Sequence, residues 1–169
     1  MESSKVTIGR NVRVDLIGHA EQVPAKVDTG ADSSSVWASK VTILSNGMLQ
    51  FVLFDINSPY YDGKVIQTEK YTVATVRSAT GHEEIRYRTI LSLRVNGKRI
   101  KAVFNLSDRS RNRFPVLIGR RTLSNKFIVD VTMADDDTKI VFESENKSLN
   151  NELNQNPHEF YKKYHGRDL

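Results

Sequence analysis

An apolar run in this chain stops at a carboxylate. Val23-Pro24-Ala25-Lys26-Val27 leads directly into Asp28-Thr29-Gly30-Ala31, and the alternation before Asp28 is that of a half-buried strand. Asp and Thr hydrogen-bond nearby backbone and Gly tolerates unusual φ, so the triplet also serves as an ordinary strand-to-turn junction. A carboxylate placed there offers general acid or base chemistry. Other reactive residue types are sparse. His19, His82, His158 and His165 lie far apart and make no His-Glu-x-x-His pair, and cysteine is absent, so no metal site is expected. The glycines never form Gly-x-x-x-x-Gly-Lys-Ser/Thr, so no nucleotide site and no cofactor are expected.

Short strands separated by turns must position Asp28. Residues 12–17 alternate and turn at Gly18-His19-Ala20-Glu21. Beyond Asp32, the serines 33–35 lead into apolar residues 36–38 and 41–44. Asn46-Gly47 then predicts a hairpin to residues 48–54. Residues 57–63 read as a loop. Residues 71–77 and 84–91 form the longest alternating pair, closing on a small polar tip around Thr80-Gly81-His82, the composition of a mobile hairpin loop. Asn96-Gly97 turns into residues 100–106. An Arg-rich loop, 107–113, precedes the apolar run Phe114-Pro115-Val116-Leu117-Ile118, which ends at Gly119. One helical turn is expected over 120–124 and a last core strand over 127–131. Residues 139–142 read as one more strand, 144–156 as an Asn/Ser/Glu-rich linker, and 157–164 as a short helix with Pro157 at its start. The expected organisation is a domain over 1–133 and an acidic, polar tail over 134–169.

Composition sets bounds on the partners. The 169 residues hold 38% hydrophobic and 27% charged side chains, ordinary for one soluble domain with a core. The charge is uneven. Residues 1–133 carry 20 Lys and Arg against 12 Asp and Glu, whereas 134–169 carry 5 against 8. Nine basic residues and one acid, Asp108, lie between Arg94 and Arg121, which predicts a surface that attracts anions. Aromatic residues of the kind that stack on bases are not interleaved there, apart from Phe104 and Phe114, so a nucleic-acid partner is not expected. The N-terminal residues lack the apolar core of a signal peptide, and no run approaches the ~20 apolar residues of a membrane span. No membrane partner and a cytoplasmic location are the expectation.

Three motifs in this order resemble the retropepsin-type aspartic proteases. They are Asp28-Thr29-Gly30-Ala31 after an apolar strand, a hairpin flap with a glycine tip at Gly81, and the apolar-apolar-Gly-Arg segment Leu117-Ile118-Gly119-Arg120. Within that fold, Ala25-Lys26-Val27-Asp28-Thr29-Gly30-Ala31 is similar to a bacterial family long labelled "ATP-dependent zinc protease", related to the protease partner of a ribosomal glutamate ligase. Ser78 to Glu84 matches its flap tip, and Ser107 to Arg120 matches a later segment more loosely. The likeness covers residues 8 to about 132. It implies an all-β closed barrel of the acid-protease kind with a flap, to which the residues themselves add one short helical turn after the core and a C-terminal helix. One departure is Asp32, an acid where many bacterial relatives carry a basic residue. In retroviral proteases that acid pairs with the Arg of the apolar-Gly-Arg segment, which implies an Asp32–Arg120 pair here.

The resemblance also implies the chemistry. Two carboxylates must share one proton, leaving an acid and a base at the same pH. This chain has a single Asp-Thr-Gly, so the second carboxylate is expected from another copy across a two-fold axis. Asp28, Thr29 and Gly30 are the expected catalytic residues. Ala31, Asp32, Thr80, Gly81, His82 and Ile118 are expected to contact substrate, with Gly119 and Arg120 as structural support. The expected substrate is a protein or peptide, acidic or glutamate-rich. Ala31 lacks the hydroxyl that would favour the charged dyad, so activity is expected to extend towards neutral pH. Two other readings stand beside this one. One is a non-catalytic barrel module binding an anionic partner, ribosomal protein or RNA, through loop 107–113. The other is a latent enzyme whose tail, 144–169, covers the groove.

Overall fold

The computed structural model describes residues 4–77, 80–135 and 138–166, with the side chains of 138–145 excepted. β1 (Val6–Ile8) leads into β2 (Asn11–Leu16) and β3 (Ala20–Val27). The last two form an antiparallel hairpin, turned at Gly18 with φ of 85°, a conformation glycine adopts without penalty. Period-two patterning puts Val23, Ala25 and Val27 on one face of β3, and all three are buried. β4 (Ser34–Ile43) pairs antiparallel with β5 (Leu49–Leu53) after the Asn46-Gly47 turn. β6 (Val65–Thr68) extends that ladder. This strand was not anticipated, although Val65-Ile66-Gln67-Thr68 has β-forming composition.

β7 (Tyr71–Arg77) pairs with the first half of β8 (Glu83–Val95), as the alternation over 71–95 predicted. β8 runs on as one 13-residue strand into the barrel. The Asn96-Gly97 turn, with both residues at positive φ, returns the chain as β9 (Lys98–Ser107). Ser78 and Ala79, in the expected flap tip, lie outside the described residues.

Closure depends on a very short strand. β10 (Val116–Ile118) lies parallel to β3, with Ile118 opposite Val27, and antiparallel to β4, with Val116 opposite Val36. Since β3 also pairs with β2, β2 with β8, β8 with β9 and β9 with β4, the six strands β10-β3-β2-β8-β9-β4 form a closed barrel. Phe104, Leu16, Leu93, Val14, Val36 and Ile118 fill its interior at 0–1% exposure. The expected all-β closed barrel is therefore the observed fold. The helical turn after β10 is α1 (Arg120–Leu123), and β11 (Phe127–Val129) pairs parallel with β1.

Residues Met1–Asp135 form one compact unit and Asp136–Leu169 a second. In the second unit the sequence reading needs correcting. The strand expected at 139–142 and the linker expected over 144–156 are one helix, α2 (Thr138–Gln155). The apolar run 140–142 is too short for periodicity to separate strand from helix, and the polar stretch, though rich in Asn and Ser, also carries Glu, Lys, Leu and Gln, which helices accept. Leu149 and Leu153 share a helix face at i, i+4. The short helix expected at 157–164 is present as α3 (Pro157–His165), capped by the Asn156 side chain, which accepts from the Glu159 amide. Lys163 and Tyr164 of α3 both reach the Glu152 carboxylate on α2.

Candidate active site

β3 delivers Asp28 to the end of the barrel, where β10 secures it. The Asp28 amide donates to the Ile118 carbonyl at 2.9 Å, continuing the β3–β10 ladder by one rung. The chain then turns, and Asp28 Oδ1 accepts from the amides of Gly30 and Ala31 at 3.0 and 3.1 Å. One carboxylate oxygen is thus oriented by backbone. The other, Oδ2, lies 3.5 Å from Lys26 Nζ. The Asp28 side chain is 26% exposed, while Thr29 and Gly30 are exposed beside it. Gly30 does not sit at positive φ. A Cβ there would stand 3.3 Å from Asp28 Oδ1, so its smallness leaves room for the carboxylate.

A second layer holds this turn from behind. Arg120 N donates to Ala31 O at 2.8 Å and Arg121 N to Asp32 O at 3.2 Å. Ser34 Oγ accepts from Gly119 N at 3.0 Å and shares a 2.6 Å hydrogen bond with Thr122 Oγ1. These side chains are buried. Gly119 is required by contact: a Cβ would meet Ser33 O at 2.5 Å and Ala31 O at 2.9 Å. Ser34 and Thr122 were missed, because nothing in a run of three serines marks which hydroxyl will be buried.

Two expected contacts differ. The Ile118 side chain is 1% exposed, so it packs in the core and serves the site through its carbonyl, not as a substrate contact. Asp32 pairs more closely with Arg121, at 2.9 Å, than with Arg120, at 3.6 Å. The expected Asp32–Arg120 pair is present as the longer half of an exposed, shared arrangement, since the 120–123 helical turn brings both guanidinium groups within reach of one carboxylate.

A groove of about 510 Å³ runs between residues 31–35, just after the Asp28 turn in the chain, and the β7–β8 hairpin; Asp28, Thr29 and Gly30 do not line it. Ala31 and Asp32 line it. From the β7–β8 hairpin, its wall comes from Ala74 to Arg77 and Arg86, whereas Thr80, Gly81 and His82 are exposed at the tip and do not line it. Arg88 and Arg109 complete a cationic lining in which Asp32 is the acid. Arg88 donates to Asn105 Oδ1 at 2.9 Å and Ser33 Oγ at 2.6 Å. Both partners are neutral, so its charge is oriented but not cancelled. Arg109 is 9% exposed and donates to the Phe114 carbonyl at 3.0 Å. Burial and then Arg86 lower its pKa, while Asp28 raises it; a guanidinium nonetheless stays charged at neutral pH.

Arg109 was expected as part of an exposed basic loop. It instead turns inward, leaving Arg111 and Arg113 as the exposed arginines of 107–113. Among the described residues no three His, Asp or Glu side chains gather as a metal site, and no helix is long and apolar enough to cross a membrane.

The chain is similar to known proteins. Residues 7–138 match the RimB-like family model, described as the retropepsin-like aspartic endopeptidase RimB. A protein of unknown function from Legionella pneumophila has a crystal structure similar to this one, with a TM-score of 0.61 and 25% identity. The match covers 78% of this chain and 97% of that one. Curated relatives include a probable alpha-L-glutamate ligase of Shewanella pealeana, 25% identical over 111 residues, and one of Desulfotalea psychrophila, 24% identical over 111 residues. The matched region is 64% of this chain but 24% of each ligase, so the chain spans about a quarter of their length. With the Asp28 turn at the end of a closed six-stranded barrel and a family match over most of its length, this chain belongs to the RimB-like family of retropepsin-like aspartic endopeptidases.

Proposed function

We propose that the protein is an aspartic endopeptidase that works as a homodimer and cleaves acidic, glutamate-rich protein segments. The observation that carries this reading is Asp28 itself, partly exposed at the end of β3, with Oδ1 held by two amides. The barrel supplies one such carboxylate, and the chemistry needs two. A two-fold axis past Asp28 brings the same residue of a second copy into place. The paired carboxylates then share a proton, because two like charges at that distance do not both ionise. The charged Asp28 takes a proton from water as the water oxygen attacks the peptide carbonyl. The protonated Asp28 hydrogen-bonds the carbonyl oxygen, and a proton passes to the leaving nitrogen as the C–N bond breaks. Exposed Thr29 and Gly30 lie where the two turns meet, and the β7–β8 hairpin closes over the bound chain.

The substrate class follows from charge. Arg88 and Arg109 face the groove without a carboxylate partner within ion-pair distance among the described residues, and buried cations favour an incoming anion. That relatives matching a quarter of their length are named probable glutamate ligases supports the same class. The barrel unit, Met1–Asp135, carries this activity.

Asp28→Asn tests the reading, with a glutamate-rich fluorogenic peptide as substrate. Cleavage should fall to background while circular dichroism and sedimentation match the wild type. Undiminished cleavage would refute the assignment.

A further inference from the structure

A second cleft, of about 430 Å³, lies beside the groove on the outer face of the β8–β9 ladder. Ser33, Arg88 and Arg121 line both hollows, so one wall separates and joins them. The second cleft adds Lys101 and Lys126, and no acidic side chain lines it. Its floor is apolar. Ile90 and Val103 face each other across the ladder and remain 56% and 47% exposed. Cations around an exposed aliphatic floor suit a side chain that has methylenes and a carboxylate at its end. No aromatic residue lines the cleft, so bases have nothing to stack on.

We propose that this cleft is an exosite that holds the part of an acidic peptide extending beyond the groove, with Lys101 and Lys126 setting a preference for long acidic segments. The proposal rests on the protease reading above and adds residues that the catalytic centre does not use. Geometry sets the length. Lys101 lies opposite Ser92, four residues along β8 from Arg88, which is about 13 Å at ~3.3 Å per residue. An extended peptide therefore needs about four residues past Arg88 to reach it. Shorter acidic segments stay within the groove and are indifferent to both lysines.

The test uses the full chain with Asp28→Asn, so that bound peptide is not cut, and fluorescein-labelled oligoglutamates of about four and about ten residues. Fluorescence anisotropy should show Lys101→Ala/Lys126→Ala weakening the longer peptide about tenfold and the shorter less than about twofold, the sum of two screened charge contacts. In the Asp28 form, the same double variant should raise KM for a long cleavable peptide and leave kcat unchanged. Equal weakening of both lengths, or of neither, overturns the exosite. Tighter binding of an oligouridylate than of the long oligoglutamate, lost in the same variant, overturns the peptide in favour of RNA. A length-dependent binding difference without Asp28-dependent cleavage would refute the protease reading and leave the acidic-peptide site in place.

Discussion

Replacing Gly119 by Ala puts one methyl group against backbone that has no alternative rotamer. The added carbon would lie 2.5 Å from Ser33 O, 2.6 Å from Ser33 C and 2.9 Å from Ala31 O. Non-bonded carbon contacts are comfortable near ~3.5 Å, so the Asp28 turn and the 117–122 segment must part by roughly 1 Å. That displacement acts on the hydrogen bonds joining them, Arg120 N to Ala31 O at 2.8 Å and Gly119 N to Ser34 Oγ at 3.0 Å. Overpacking of this kind costs about 1–3 kcal/mol, and two lost hydrogen bonds about 1 kcal/mol each. Restricting the unfolded chain returns about 0.5–1 kcal/mol, so the expected net destabilisation is about 3 kcal/mol. Urea unfolding followed by Trp37 fluorescence measures it, and an unchanged m-value keeps the comparison valid. Peptide cleavage should fall further than the folded fraction does, because the displaced segment is the one that carries Asp28. A midpoint shift worth under about 0.5 kcal/mol with full cleavage would refute the claim that this contact positions the turn.

Asp32→Ala should change stability little, by less than about 1 kcal/mol in urea unfolding, because exposed ion pairs are screened by solvent and Asp32, Arg120 and Arg121 are all at least half exposed. Double-mutant cycles should find Asp32 coupled more to Arg121 than to Arg120; the reverse order would overturn the pairing described. His19 adds a pH dependence. Burial, helped by Lys64 and opposed by Asp62, lowers its pKa below the ordinary 6.5, so the folded chain takes up a proton less readily than the unfolded one. Stability from this source is complete above about pH 6.5 and falls as pH drops from there towards the lower folded value. His19→Gln should therefore flatten the loss of urea stability between about pH 7.5 and 5.5, and an identical loss in the variant would exclude His19 as its source.

Local signals carried much of the barrel. Alternation placed Val23, Ala25 and Val27 on the buried face of β3, and Asn46-Gly47 and Asn96-Gly97 marked hairpins that formed. Contacts between residues distant in the chain were less accessible. Asp32 was matched to Arg120 by motif, yet the choice between two adjacent arginines depends on how α1 turns. Arg109 read as one more exposed arginine, since a charge run does not reveal which member the packing of 107–114 will bury. Residues 139–156 of the tail were misread, because a short apolar run and a polar stretch without strong periodicity do not separate a helix from a strand and a linker, whereas the 157–164 helix formed as expected.

The residue types thus determined by themselves that Asp28 ends a strand, that a turn follows it, and that the chain is built from hairpins. Those are consequences of φ, ψ preferences and of a two-residue period, both local. Only the tertiary structure decided that β10 enters between β3 and β4, that Ser34 and Thr122 hold Gly119 against the Asp28 turn, and that Arg88 and Arg109 face the groove. Each of these joins segments about 80 residues apart or depends on which side chain is shut from water, and sequence spacing encodes neither.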